Sequence, residues 1–264
     1  MKRRWNAAEP GAASISWAAA IVGWAAEARL ATAFLTIIPV GRDSATAAEL
    51  TGSLGWFPLI GFILGAFLAG ADYLLAFFVA VTVRSTLLVL ALTAITGAVH
   101  LDGLADTADA LGAGRDRERA LEILRDSRIG TFGAAAVFFV LTLKVTAIAS
   151  AAHSRSIALY LAPGIARWAM VAVPYRLAYL RQAGAGSALL GVQNARNLLV
   201  ASIVTALAVL PSGPGHAIRA VVVAIILTWM LRAFYARWLG GITGDLIGAA
   251  GEIVEAAALI VLIP

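Results

Sequence analysis

Long runs of apolar residues, separated by short polar stretches, cover most of this chain. Most of these runs approach the roughly 20 apolar residues that an α-helix needs to cross a bilayer. They cover residues 55–78, 85–99, 131–151, 156–174, 198–209, 217–233 and 246–263. Because they show no alternation of the β-barrel kind, α-helices are the remaining way to cross. The pattern predicts an all-α, polytopic integral membrane helix bundle with about seven spanning helices.

Two features refine this bundle. The runs 85–99 and 198–209 are short, so we expect them to lie partly inside the bundle. Gly61 and Gly65 lie four residues apart in the first run, and such a pair of small residues allows another helix to approach closely. We therefore assign these two glycines to helix packing.

The N-terminal part of the chain has a different character. Residues 1–10 are polar, and the apolar run 13–38 that follows carries Glu27 and Arg29. A basic start before an apolar run is also typical of a signal peptide, but here further apolar runs follow without a polar mature domain. We expect an interfacial or re-entrant helix, with residues 1–28 as an N-terminal extension and the start of that helix. Residues 29–264 are then expected to form one membrane-embedded domain.

Composition supports membrane insertion and excludes several kinds of site. Of the 264 residues, 61% are hydrophobic, whereas soluble domains contain about 45–50% apolar residues. The absence of cysteine excludes a disulfide framework, a thiolate metal site and a cysteine nucleophile. No basic stripe is interleaved with aromatic residues, so we expect the lipid bilayer, and not nucleic acid, as a partner.

The distribution of arginine predicts an orientation. In the predicted bundle, the connections near residues 41–54, 100–131, 175–197 and 234–245 share one side. That side holds 11 arginines, namely Arg42, Arg115, Arg117, Arg119, Arg125, Arg128, Arg176, Arg181, Arg196, Arg232 and Arg237. The other side holds 3, namely Arg84, Arg155 and Arg219. By the positive-inside rule, the acidic loop at 100–131 lies in the cytoplasm.

A row of aspartates opens this acidic loop. Asp102, Asp106 and Asp109 are spaced i, i+4 and i+7, so on a helix they share one face. Seven of the chain's 15 acidic residues lie between positions 102 and 126. Like charges on one helix face repel each other, and Mg²⁺ is a cation that binds carboxylates while sharing its shell with substrate phosphates. The alternative is a solvated acidic surface helix.

A second acidic set lies near the C-terminus. Asp245, Glu252 and Glu255 share a segment with small residues at 244 and 248–251, which allow another helix to pack closely. We expect the two acidic helices to meet and to share one or two metal ions. The expected ligands are Asp102, Asp106, Asp109, Asp245 and Glu252. The alternative is that Glu252 and Glu255 only pair with Arg232 or Arg237.

Several other polar residues are candidates for binding or proton transfer. Lys144 and Arg167 lie inside apolar runs, where each needs either a phosphate or a structural ion pair. Arg128, with the backbone amides near Thr131 at a predicted helix start, is a candidate oxyanion site. His100 is either a ligand or general base, or a hydrogen-bonded residue at a helix end.

The acidic loop and its flanks resemble the cobalamin synthase family, also called the adenosylcobinamide-GDP ribazoletransferase family. The matching stretches are DGLADTAD at 102–109, GRDRERALEI at 114–123 and DSRIGTFG at 126–133. FPLIG at 57–61 and GGITGD at 240–245 resemble its other signatures in the same order. The resemblance covers the chain from about Leu30 to its end, and Ala110 departs from it by replacing a more usual glycine.

The resemblance implies a reaction late in cobalamin synthesis at the bacterial inner membrane. Adenosylcobinamide-GDP would react with the 5′-hydroxyl of α-ribazole, or of its 5′-phosphate, to give adenosylcobalamin or its phosphate and GMP, with Mg²⁺ as cofactor. The chemistry of the residues agrees with this reaction. We expect Asp102, Asp106, Asp109 and Asp245 to hold Mg²⁺, and one carboxylate or His100 to accept the proton of the acceptor hydroxyl. The expected phosphate-binding groups are Arg128, Thr131, Lys144 and Arg167. A homo-oligomer is left open.

Three other functions are weighed against this one. The signature of CDP-alcohol phosphotransferases places Ala-Arg after Asp-Gly, whereas Leu104-Ala105-Asp106 follows here. A membrane prenyltransferase needs a second Asp-x-x-x-Asp motif, which the C-terminal acids do not form. A secondary transporter would carry mid-membrane charges in two related halves, and no such internal repeat is present.

Overall fold

The computed structural model describes residues 17–40, 45–126, 128–181 and 194–263. Most of the predicted N-terminal extension, residues 1–16, therefore lies outside the described residues. Parts of two predicted cytoplasmic connections, 41–44 and 182–193, lie outside them as well.

The described residues form α-helices and no β-strand, which confirms the all-α prediction. In chain order the helices are α1 (Trp17–Leu35), α2 (Ala47–Gly52), α3 (Phe57–Leu75), α4 (Val81–Ile95), α5 (Val99–Leu111), α6 (Arg117–Ile123), α7 (Thr131–Ser150), α8 (Arg155–Ala172), α9 (Ala195–Val209), α10 (Pro214–Trp238) and α11 (Gly244–Val261). A 3₁₀ turn, Ser53–Trp56, joins α2 to α3. The three aspartates of the acidic loop lie on α5, as the helical spacing predicts.

Four stretches of the described chain are long and apolar enough to cross a membrane: Ala47–Leu75, Thr131–Ser150, Ala195–Ser212 and Pro214–Trp238. Helices α4 and α5 add a fifth only if a span can bend by 91° between them. The predicted number of about seven spans is therefore not confirmed. The stretch that contains α9 is 28% buried, and one face of α9 packs in the bundle through Asn197, Ala201, Thr205 and Val209, which agrees with a run that lies partly inside.

Helices α8 and α11 form the interior of the bundle. Most of their residues are buried, and α8 packs against α3, α10 and α11. At Gly61 a Cβ would lie 2.5 Å from the carbonyl oxygen of Pro163, and at Gly65 it would overlap the backbone of Tyr160. The packing role assigned to this glycine pair is therefore confirmed. By contrast, the apolar stretches of α7 and α10 are only 28% and 17% buried.

Buried ion pairs join the helices where charges interrupt the apolar runs. Arg155 forms two 2.8 Å hydrogen bonds to the carboxylate of Asp72, which ties α8 to α3, and Arg84 lies 2.8 Å from the same carboxylate. Near the other end of α3, Glu27 accepts a 2.8 Å hydrogen bond from Trp56 and pairs with Arg196. These charges stabilise the bundle because each has a partner of opposite sign or a hydrogen-bond donor.

The break between α4 and α5 sets the direction of the aspartate helix. Gly97 and Ala98 have φ values of 62° and 56°, in the left-handed region that ends a helix. The amide of Ala98 donates to the carbonyl of Thr93 at 2.9 Å, which closes the last turn of α4. Helix α5 bends by 91° from α4 and carries three aspartates that lipid would not accept, so it lies outside the spans, with one face packed against the bundle.

Candidate active site

Two acidic segments meet where α5 crosses the beginning of α11. A Cβ on Gly103 would lie 2.7 Å from the carbonyl oxygen of Asp245, and a Cβ on Gly248 would lie 3.2 Å from the Cα of His100. The helices therefore run antiparallel with their backbones in contact. This contact places Asp245 beside the aspartates of α5, as the sequence predicts for these two segments.

The aspartate face of α5, formed by Asp102, Asp106 and Asp109, is open to solvent to different degrees. Asp102 is exposed, whereas Asp106 and Asp109 are partly buried. Burial, followed by repulsion from Asp102 and Asp245, raises the pKa of Asp106 to about 6, and Arg181 opposes this rise. The local potential is therefore negative, which favours a cation.

The described residues contain no group of three or more histidine, aspartate or glutamate side chains placed to hold a metal ion as they stand. The predicted ligand set is thus not assembled by the protein groups alone. Mg²⁺ ordinarily uses one or two carboxylates and completes its shell with water and substrate phosphates. Asp102, Asp106 and Asp245 carry the carboxylate oxygens that such a shell would use, and Mg²⁺ binding remains a prediction.

Asp109 has a structural task in addition to its place on the aspartate face. Its two carboxylate oxygens accept hydrogen bonds from the amides of Gly130, at 2.6 Å, and Gly133, at 2.8 Å. These amides belong to the N-terminus of α7, where the helix dipole favours a negative charge. The anion bound near Thr131 is therefore Asp109. Arg128 is at the surface and bonds to Asp126, so the structure does not support the oxyanion site predicted from Arg128 and Thr131.

Lys144 and Arg167 lie in the bundle interior and not at the aspartate face. The Nζ atom of Lys144 is 2.6 Å from Glu252 and 2.7 Å from Glu255, and Arg167 bonds to the second oxygen of Glu255. All four residues are buried. The structure therefore does not support a phosphate-binding role for the two cations or a metal-binding role for Glu252. The two positive and two negative charges of this cluster neutralise each other. Glu252 and Glu255 therefore pair with Lys144 and Arg167, and not with Arg232 or Arg237 of α10.

His100 also points to the interior. Only 6% of this residue is exposed, and the charged groups that act on its ring are Arg167, Glu255 and Lys144. It lies on the side of α5 opposite the aspartates, since residues 100 and 109 are half a helical turn apart in direction. The structure does not bring His100 to the aspartate face, where a general base would have to act.

Arg181 is the basic residue that sequence reasoning missed. Its Nη2 atom donates a 2.8 Å hydrogen bond to Asp245, and it also donates to the carbonyl of Leu124. Backbone hydrogen bonds of 2.9 Å link Ile242 to Ala178 and Leu180, which holds the segment before Arg181 against the start of α11. In the sequence, Arg181 is one of many arginines on the predicted cytoplasmic side, and no local pattern distinguishes it.

Replacing Gly103 by alanine should destabilise the α5–α11 crossing. The new methyl group would meet backbone atoms of Asp245 at 2.7 and 2.9 Å, and these atoms can move only if α11 moves. We expect thermal unfolding in detergent to show a loss of about 1–3 kcal/mol. Gly70→Ala is the matched control, because nothing lies within 4 Å of its added Cβ on α3. That control should gain up to about 1 kcal/mol from helix propensity. Equal stability of the two variants would contradict the close crossing.

Comparison with known proteins identifies the family. The family model described as cobalamin-5-phosphate synthase matches residues 27–263. A relative from Syntrophobacter fumaroxidans named adenosylcobinamide-GDP ribazoletransferase is 41% identical over 238 residues, covering 87% of this chain and 94% of the relative. A relative of the same name from Roseiflexus sp. is 39% identical, covering 87% of this chain and 86% of the relative. Another from Escherichia coli is 34% identical, covering 87% of this chain and 96% of the relative. No solved structure matches.

These matches confirm the resemblance found in residues 102–133 and in the two flanking signatures. They cover both helices that form the aspartate crossing, so the site described above lies inside the matched region. The name that these relatives share is that of a transferase. The chain therefore belongs to the cobalamin-5-phosphate synthase family, and it is a transferase of cobalamin synthesis.

Proposed function

We propose that the chain catalyses Mg²⁺-dependent transfer of the adenosylcobinamide-phosphoryl group from adenosylcobinamide-GDP to a ribose hydroxyl of α-ribazole, or of its 5′-phosphate. The 5′-hydroxyl expected from the sequence cannot serve both acceptors, because in the 5′-phosphate that oxygen already carries the phosphate. The relatives' names support the donor and the ribazole acceptor. The observation that carries the chemistry is the aspartate face of α5 in contact with Asp245. Phosphoryl transfer depends mainly on positioning and charge neutralisation, and this face provides the negative charge that a metal–phosphate complex requires.

The residues of the site have separate tasks in this proposal. Asp102, Asp106 and Asp245 hold Mg²⁺, and Asp109 orients the start of α7 beside them. Bound Mg²⁺ neutralises charge on the diphosphate and its leaving group. The acceptor oxygen bonds to the phosphorus that carries adenosylcobinamide, and the bond from that phosphorus to the GMP oxygen breaks. A carboxylate of the aspartate face accepts the hydroxyl proton.

In this proposal the chain lies in the bacterial inner membrane with the aspartate face in the cytoplasm. The excess of arginines on that side, 11 against 3, supports the orientation. The substrates are large, charged and unable to cross a bilayer unaided, so they must reach the site from the side on which α5 lies. The orientation and the reaction can therefore be tested together.

Sealed inner-membrane vesicles that contain the protein test the function. Inside-out vesicles should release GMP from added adenosylcobinamide-GDP, α-ribazole and Mg²⁺, and excess chelator should stop the release. Right-side-out vesicles should release GMP only after permeabilisation by detergent. Absence of GMP from permeabilised vesicles that bind the donor would exclude the transferase function. Release from intact right-side-out vesicles would reverse the orientation.

A further inference from the structure

In the proposed function a diphosphate binds beside the aspartate face, where a positive protein group would complement its charge. The three cations predicted for that task are engaged elsewhere, because Lys144 and Arg167 pair with glutamates in the interior and Arg128 pairs with Asp126. Arg181 is in contact with the site, 2.8 Å from Asp245. It also acts electrostatically on Asp106, so its charge reaches the aspartate face.

The chain holds Arg181 from three directions. The backbone bridge between Tyr179 and Ile242 fixes the segment that carries it, and the carbonyl of Leu124 at the end of α6 accepts from Nη2. Asp245 at the start of α11 accepts from the same Nη2 atom. Yet 32% of the side chain is exposed, so the guanidinium is placed at the edge of the site and open to a ligand.

We propose that Arg181 binds the diphosphate of the donor substrate and that Asp245 holds its guanidinium in position until metal and substrate bind. This inference rests on the proposed function, whose substrate contains the diphosphate. A guanidinium is planar and has five N–H donors, which match two phosphate oxygens at once. The described contacts of Arg181 use Nη2, and release of Asp245 frees one N–H of this atom. We propose that this N–H and the neighbouring N–H of Nε or Nη1 bind the phosphate oxygens.

The exchange of partners follows from charge balance. Before substrate binds, Arg181 neutralises part of the negative charge of Asp245. When Asp245 contributes oxygens to a divalent cation, its attraction for the guanidinium weakens, and the phosphates replace it as acceptor. During transfer, the electron pair of the breaking phosphorus–oxygen bond passes to the GMP phosphate. A positive group already in place there stabilises the developing charge without reorganisation.

Two substitutions at Arg181 and one control test the assignment. Arg181→Gln removes the charge, and Arg181→Lys keeps the charge but not the planar fork. Arg176→Gln removes an exposed arginine of the same segment that makes a cation–π contact with Tyr175 and does not contact the site. For each protein, three quantities are measured: binding of Mn²⁺ alone by electron paramagnetic resonance, binding of GDP with Mg²⁺ by equilibrium dialysis, and kcat/KM for GMP release.

We expect Arg181→Gln to weaken GDP binding at least about tenfold and to lower kcat/KM by about 10²–10³-fold. Its affinity for Mn²⁺ alone should be unchanged or higher, because the cation that competes for Asp245 is gone. Arg181→Lys should recover part of the GDP binding, and Arg176→Gln should behave as the unmodified protein does. A merely structural residue would lower Mn²⁺ and GDP binding together.

The inference is overturned if Arg181→Gln binds GDP and turns over within threefold of the unmodified protein, or if it loses Mn²⁺ binding as well. If Arg181→Gln does not fold, Arg181→Lys decides, and undiminished GDP binding and kcat/KM in that variant overturn the inference. Failure of the proposed function gives a different result. In that case the unmodified protein itself would release no GMP, while the dependence of GDP binding on Arg181 could still be measured.

Discussion

Asp106→Asn should lower the rate of GMP release by about 10²–10³-fold, the size of effect seen when a principal charge-stabilising group is removed from an active site. Asp106 lies between Asp102 and Asp109 on α5 and senses Asp245, so it is the centre of the negative region that would hold Mg²⁺. An amide retains the size of the side chain but loses its charge and its ability to accept a proton. GMP release at saturating Mg²⁺ is the measurement.

Asp116→Asn is the matched control for this substitution. Asp116 is exposed, and its carboxylate caps α6 by accepting a 3.0 Å hydrogen bond from the amide of Arg119. Asparagine is an equally good N-cap, so this variant loses the same charge in the same acidic loop without losing structure. Near-normal turnover by Asp106→Asn would contradict a catalytic role for the aspartate face. It would favour the alternative that the sequence leaves open, a solvated acidic helix.

Lys144→Met should destabilise the protein by about 3–5 kcal/mol, the usual cost of removing one partner from a buried ion pair. Lys144 bonds to both Glu252 and Glu255, so its loss leaves the buried cluster with excess negative charge. Thermal and denaturant unfolding in detergent is the measurement. Arg119→Gln is the control, since Arg119 forms an exposed pair with Glu122 whose loss should cost about 0–1 kcal/mol.

A charge-balanced double variant separates charge from packing in this cluster. Lys144→Met combined with Glu252→Gln leaves Arg167 paired with Glu255, so the double variant should be more stable than Lys144→Met alone. Strict additivity of the two single effects would contradict the neutral-cluster interpretation. A Lys144→Met variant that unfolds normally but no longer turns over would instead restore the phosphate-binding role that the sequence suggests.

The number of spans shows why hydropathy alone was insufficient. Apolar length predicts that a helix is buried, but it does not distinguish burial in lipid from burial in protein. Helices α8 and α11 count as spans by apolar run, yet they contain Arg155, Arg167, Glu252 and Glu255, all in the bundle interior. Their charges are tolerated because the partners come from other helices. Apolar length therefore indicated a helical membrane protein without the number of crossings.

The partners of the buried charges could not be read from the chain because they are distant in sequence. Lys144 is separated from Glu252 and Glu255 by 108 and 111 residues. Arg181 lies 64 residues before Asp245. Because Glu252 shares a helix with Asp245, the sequence predicts that both bind the metal. About two helical turns separate the two residues, however, and Glu252 lies in the interior.

By itself, the sequence determined the helical class, the row of three aspartates on one face of α5 and the family, because each depends on local spacing or on contiguous motifs. Only the tertiary structure decided which charges meet. The backbone contact at Gly103 brings Asp245 to the aspartates, Asp109 binds the start of α7, and Arg181 pairs with Asp245 while Lys144, Arg167 and Arg128 pair elsewhere. The physical reason is that a buried or crowded charge takes the partner that helix packing puts within a few ångströms, whatever their separation along the chain.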